Sequence, residues 1–199
     1  MRSLLAFVLV WGVAQEGDRY VIDAPASRFT AEVGATGILS MFGHDHTIAL
    51  RDFSGEARLV TQAPERSSLQ MTIEAASLAE VGKDFSEDDR KAIDKDVRER
   101  ALEASKHPQI VFRSTRVVPK KVSDNEYVLE IRGTLALHGV TRPVTIPTRM
   151  TLQDGVLTAR GKFTVRHSDF EIERLSAAGG TIKAENDIRM SFMIVGRKN

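Results

Sequence analysis

The sequence predicts an all-β protein, a closed antiparallel barrel of about eight strands with one inserted helix. Three observations carry this. Residues 127–165 read as a meander in which apolar and polar side chains alternate, the pattern of strands with one buried face. Residues 86–105 break that rhythm with a helical period. Strands and helices do not alternate in the way that builds a parallel sheet, and about eight strands joined by short turns close best into a barrel with room for one small ligand.

Taken in order, the first fourteen residues read as a secretory leader. Arg2 gives a positive start, Leu4 to Val13 is almost wholly apolar, and Gly12 and Ala14 make a small-x-small site before Gln15. The run is too short to span a bilayer but fits the core of an export signal. The domain expected after it is 15–199, in the periplasm or secreted. In the first strand segment, Phe29, Ala31 and Val33 share a face. Gly34 to Gly43 is rich in glycine yet carries Ile38, Leu39, Met41 and Phe42, too apolar for a solvated loop, and is expected to cap the core. His46 to Val60 holds two strand-like pieces out of phase, Ile48 and Leu50 against Phe53, Gly55, Ala57 and Leu59. A phase change of one residue predicts a bulge or corner near Asp52.

Leu69, Met71, Ile73 and Ala75 continue the alternation as the fourth strand. Ser86 followed by Asp89 is then a capping pattern, with Glu87, Asp88 and Asp89 complementing a helix start. Ile93, Val97, Ala101 and Ala104 form the apolar stripe of that helix, which His107-Pro108 is expected to end. The opposite charged face, with Asp94 and Arg98, reads as solvated. Ile110 and Phe112 open the next strand. In the meander, Leu129, Ile131, Leu135 and Leu137 point inward, then Val144, Ile146, Met150 and Leu152, then Leu157, Ala159, Phe163 and Val165. His138-Gly139 breaks the first pair, and Asp154-Gly155 is a hairpin signal because both positions tolerate positive φ. Ile188, Met190, Phe192 and Ile194 line the last strand.

The chain has 28 basic and 27 acidic residues, so its balance argues neither for nucleic acid nor for an anionic membrane face. Removing Arg2 with the leader would leave the two signs equal. No cysteine is present, which excludes disulfides, thiol catalysis, cysteine-bound zinc and a lipid anchor on cysteine.

The inward face mixes large residues with small ones: Ala31, Gly55, Ala57, Ala75, Gly133, Ala159 and Gly161, with Ser114 and Ala184 beside them. Small residues facing a core leave space that a close-packed interior normally fills. Two readings follow, a cavity for an apolar guest or ordinary interdigitation of large and small side chains. For chemistry there is less. No nucleophile elbow, phosphate loop or carboxylate dyad is present outside the charged helix, and the chain is not read as an enzyme. Gly43-His44-Asp45-His46 is a polar cluster in which His44 and His46 are the candidate metal ligands if the segment is extended. His107, His138 and His167 have no spacing that would bring them to it.

Several motifs, in order, resemble the YceI-like domain family over about Tyr20 to the C-terminus. They are Tyr20-Val21-Ile22-Asp23 with Ser27, Phe53-Ser54-Gly55, Lys106-His107-Pro108 leading to Phe112-Arg113-Ser114, and Ser168-Asp169-Phe170. The most specific is Gly133-Thr134-Leu135-Ala136-Leu137-His138-Gly139-Val140-Thr141-Arg142-Pro143-Val144. The chain departs from the pattern at Glu171, where the family usually has glycine, at His167, where arginine is common, and at Ala101-Leu102-Glu103. The resemblance implies an exported, lipocalin-like barrel that carries a polyisoprenoid or isoprenoid quinone, with no other cofactor.

The side chains expected to line its cavity are Phe29, Phe53, Met71, Ile73 and Phe112 on the early strands and Leu129, Ile131, Leu135 and Phe163 on the meander. Gly133 and Gly161 are expected to leave room for the guest, Ile38, Met41 and Phe42 to cap it, and Phe170 to border it. Nucleic acid and stable membrane insertion are not expected; the oligomeric state stays open, a dimer included. Two other readings stand beside the carrier, a metal protein using His44 and His46, and a ligand-free barrel acting through its surface.

Overall fold

The structure, a computed structural model, describes residues 17–37 and 44–199. The leader assigned to 1–14 and the capping residues Ile38, Met41 and Phe42 lie outside them. In chain order the strands are β1 (Asp18–Ile22), β2 (Arg28–Val33), β3 (Ala35–Thr36), β4 (His46–Leu50), β5 (Phe53–Leu59), β6 (Ser68–Glu74) and β7 (Leu78–Glu80). Helix α1 (Glu87–Asp96) follows, then β8 (Gln109–Ser123), β9 (Glu126–Leu137), β10 (Val140–Gln153), β11 (Val156–Arg166), β12 (Ser176–Ala177), β13 (Ile182–Ala184) and β14 (Asp187–Lys198).

The ring runs β1-β5-β6-β8-β9-β10-β11-β14 and closes where β14 pairs with β1, so the sheet is an eight-stranded antiparallel barrel. At one end β2, β4 and β7 extend it, and each continues a ring strand across a break. The break at Arg51–Asp52 is the corner expected from the phase change. Residues 46–59 are therefore one bent strand and not two, and α1 follows the third bent strand of the ring instead of the fourth. The break after β1 is a turn in which the Asp23 carboxylate accepts from Arg197 Nε at 2.6 Å and from the Ala26 N–H at 3.2 Å. The bond from Arg197, and then that from Ala26, holds the Asp23 carboxyl below the usual range. Ser27 Oγ accepts from the Val195 N–H at 2.9 Å. The Asp23 and Ser27 of the opening motif thus tie the first turn to the last strand.

Both tight hairpins take positive φ at both central residues, 52° and 75° at His138-Gly139 and 50° and 73° at Asp154-Gly155. Those values match the right-handed twist of the flanking strands. The α1 capping box forms as its sequence implies: Ser86 Oγ accepts from the Asp89 N–H, and Asp89 reaches back to the Ser86 N–H. The helix is shorter than expected. A wide turn at Val97–Ala101 ends it, Glu103 takes a left-handed φ of 43°, and the Ala104 N–H donates to the Arg98 carbonyl at 2.8 Å. That six-residue return closes a helix before the chain reaches His107. The stripe of Ile93, Val97, Ala101 and Ala104 does pack on the core. Asp94, read as part of a solvated face, instead accepts from the Glu80 N–H at 2.6 Å and fastens α1 to β7.

Candidate functional site

Inside the ring is a chamber of about 230 Å³. Its lining runs the length of the barrel, from Ser67 and Asp124 at one end to Leu102 and Ile172 at the other. Alternate residues of the ring strands supply the walls, which is why they are almost wholly apolar. Phe29, Met71, Ile73, Phe112, Leu129, Ile131, Leu135 and Phe163 all border it, as the alternation predicts. Among the small residues, Ala31, Ala57 and Ala159 border it too. Polar side chains line it as well, none of them expected from the alternation: Arg58, Thr61, Ser67, Ser68 and Asp124, and along the wall Thr148, Tyr20 and Tyr127. Thr148 is 4% exposed, and its hydroxyl donates to the Ile146 carbonyl at 3.2 Å, so it presents little polarity to a guest. Tyr20 and Tyr127 line the same chamber, and burial, with Asp18 nearby, raises the Tyr20 hydroxyl above its ordinary value.

Four expected lining residues do not border it. A β-carbon on Gly133 would lie 2.6 Å from the Phe112 ring and 2.4 Å from the Arg113 carbonyl oxygen. On Gly161 it would lie 2.6 Å from Phe192 Cζ and 2.3 Å from the Pro147 oxygen. The glycines leave room for neighbouring aromatic rings, not for a guest, because strand register brings a phenylalanine over each. Phe53 packs edge-on to Phe29 at 6.5 Å, within the core but away from the chamber. Phe170, 1% exposed, sits under the short 3-10 turn at His167–Phe170. Of the other small positions, Ser114 is used for bonding, its Oγ accepting from the Leu69 N–H at 2.8 Å.

A second cavity of about 590 Å³ lies at the barrel mouth, beneath α1. It shares Ala31, Leu78, Leu102, Ile172 and Ile188 with the inner chamber, so these side chains stand between the two. Its rim is polar. His46 Nδ1 lies 2.9 Å from Glu80 Oε2, and Phe85 stacks on the His46 ring at 4.9 Å. His44 meets the same phenylalanine edge-on at 5.6 Å. Both rings are thus taken up by Phe85, and His46 also by Glu80. Glu80 is 3% exposed and its other oxygen accepts from the Thr47 and Gly82 N–H groups at 3.1 and 2.6 Å. Nothing in the alternation of residues 78–80 marks that carboxylate as a hub, since its partners come from β4 and the turn at Gly82. His167, 7% exposed, also lines the mouth, and its Nδ1 donates to the Asn186 carbonyl at 3.2 Å.

Among the described residues, the group that brings three histidine or carboxylate ligand atoms within 4.8 Å of one another is Glu103, His107 and His138. Neither His44 nor His46 belongs to it. Also among the described residues, no helix is long and apolar enough to cross a membrane.

A closed eight-stranded antiparallel barrel with an apolar interior and one helix at its mouth places the protein in the lipocalin-like class. Residues 20–195 match the YceI-like domain, and the chain belongs to that family. A UPF0312 protein of Ectopseudomonas mendocina is 28% identical over 189 residues, covering 90% of each chain. A UPF0312 protein of Azotobacter vinelandii is 33% identical over 99 residues, half of this chain and 46% of that protein. Among solved structures, Burkholderia cenocepacia BcnA superposes with a TM-score of 0.67 at 20% identity, covering 87% of this chain and 98% of that one. A polyisoprenoid binding domain from Saccharophagus degradans superposes at 0.64 with 13% identity, covering 92% and 100%. At those identities the likeness is one of fold.

Proposed function

We propose that the protein is an exported carrier that holds a long apolar lipid chain, of polyisoprenoid or isoprenoid-quinone type, inside its barrel. One observation carries the reading: between the polar end at Ser67 and Asp124 and the far end at Leu102 and Ile172 the chamber wall is almost wholly apolar, and the hydroxyl of Thr148 is turned back on its own strand. Such a wall recognises length and apolarity. Each CH₂ withdrawn from water contributes about 0.8 kcal/mol, so a chain of several isoprene units needs no charged anchor. The polyisoprenoid binding domain of Saccharophagus degradans, with its shared fold, supports the same class of ligand. The leader expected at residues 1–14 supports export. At about 230 Å³ the inner chamber lies below the roughly 300–1,000 Å³ of most ligand pockets. A long guest would therefore extend past Leu102 and Ile172 into the mouth, where its polar end would meet the rim of His44, His46 and His167.

Organic extraction of the purified protein and mass spectrometry of the extract test this. A polyprenyl or comparable long-chain species is expected in near-stoichiometric amount. Ala159→Phe, which places a ring in the chamber wall, should cut that amount sharply while the protein stays folded. Empty extracts from several expression hosts, or a full complement of lipid in folded Ala159→Phe, would overturn the reading.

A further inference from the structure

Outside the barrel wall, the turn that follows the helix and the β9–β10 hairpin bring three ligating side chains together. Glu103, His107 and His138 each offer a ligand atom, all within 4.8 Å of one another. The tautomer of His138 is settled by its neighbour. Nδ1 lies 3.1 Å from the Phe170 carbonyl oxygen, which can only accept, so Nδ1 carries the proton and donates it. In the neutral ring Nε2 is then a bare lone pair. That nitrogen is buried without a hydrogen-bond partner and points at Glu103 Oε2 3.3 Å away, also an acceptor. Two lone-pair atoms facing each other at that distance need a cation between them or a second proton on the ring.

We propose that Glu103, His107 and His138 form a binding site for a divalent transition-metal ion of the zinc type. Two imidazoles and one carboxylate are a donor set suited to zinc and its neighbours, and a ligating histidine usually gives its other N–H to a carbonyl or carboxylate. His138 does so to Phe170. Metal–ligand bonds of about 2.0–2.1 Å at tetrahedral angles set neighbouring donor atoms roughly 3.3 Å apart, which is the separation already present between His138 Nε2 and Glu103 Oε2. Lys106 occupies Glu103 Oε1, leaving Oε2 as the single ligating oxygen. The surrounding backbone makes room for the third ligand. A β-carbon on Gly139, at φ +75°, would lie 2.7 Å from His107 Cε1, so the glycine admits that ring against the hairpin. Glu103 and His138 themselves take left-handed φ of 43° and 52°, a region that residues other than glycine seldom occupy. Leu102 and Leu137, the residues just before Glu103 and His138, line the inner chamber. An ion in this site ties the end of the helix to the barrel wall. The site is separate from His44 and His46 and does not depend on what the chamber holds.

Calorimetric titration of the chelator-stripped protein with Zn²⁺ tests the site. One saturable equivalent is expected, with a rise in melting temperature at saturation. His107→Ala, His138→Ala and Glu103→Gln should each weaken Zn²⁺ binding by at least about tenfold, whereas the His44→Ala, His46→Ala double variant should bind as the parent does. Far-UV circular dichroism checks each variant for folding. Should His138→Ala fail to fold, His107→Ala, whose ring is only half-buried, decides the matter. Absence of a saturable Zn²⁺ equivalent in the parent, binding unchanged in His107→Ala, or binding lost in the His44, His46 double variant would each overturn the proposal.

Discussion

The ring of Phe192 lies directly over the α-carbon of Gly161, its partner across the β11–β14 ladder, so closely that a β-carbon there would be 2.6 Å from Cζ. The Pro147 carbonyl oxygen closes the other side at 2.3 Å. A flexible ring could yield, but a backbone carbonyl in a paired strand yields only if the ladder moves. Gly161→Ala is therefore expected to destabilise the protein by about 1–3 kcal/mol, read as a lower urea midpoint, whether or not lipid is bound. Gly161→Phe should fail to fold or lose more. A Gly161→Ala protein of unchanged stability would show that the space above the glycine is open.

This relationship also marks where the sequence stopped being legible. Alternation along one strand identifies the inward face, and Phe29, Met71, Phe112, Ile131 and Phe163, all on that face, lie on the chamber wall. Local turn and cap chemistry was equally readable at Asp154-Gly155 and at Ser86 with Asp89. What alternation cannot supply is the neighbour across the ladder. Gly161 faces inward, but only the pairing with β14 reveals that Phe192 fills its space. The convergence of His107 with His138 has the same cause, since the β8–β9 hairpin lies between them in the chain and only the register of its ladder, with Val111 opposite Ala136, sets one beside the other. Glu80 is a third case: its partners His46 and Thr47 lie on β4, paired with β7 through the break at Ala75–Ser77.

Glu171 stands in the left-handed region at φ 56°, ending the 3-10 turn that buries Phe170, and its side chain is exposed. This is the position where family members usually carry glycine. A side chain other than glycine's costs roughly 1–2 kcal/mol in that conformation, and glycine's greater freedom in the unfolded chain offsets part of the gain. Glu171→Gly is expected to stabilise by about 1 kcal/mol, a rise of roughly 2–4 °C in melting temperature for a chain of this size. Glu171→Val should lower it. A glycine variant that melts at or below the parent temperature would show that the Glu171 side chain contributes more than its backbone costs.

Stability should also fall on mild acidification, and His167 supplies part of that fall. Burial pushes its imidazole below the ordinary histidine value, with Arg174 adding to the depression and the bonds to the Asn186 and Glu185 carbonyls working against it. In the unfolded chain the ring takes a proton at about pH 6.5; in the folded protein it resists until the pH is lower. Between those two values the unfolded state binds more protons, so unfolding becomes easier as pH falls. The contribution is fully present above about pH 6.5 and is lost progressively toward the depressed folded value. In His167→Gln the amide can still donate to the Asn186 carbonyl but cannot take up a proton. Urea midpoints measured from neutral pH into the mildly acidic range should therefore fall less steeply in His167→Gln than in the parent. If both lose stability with the same slope, protonation at His167 is not a source of the acid sensitivity, and the ring is accommodated at the mouth in its charged form as well as its neutral one.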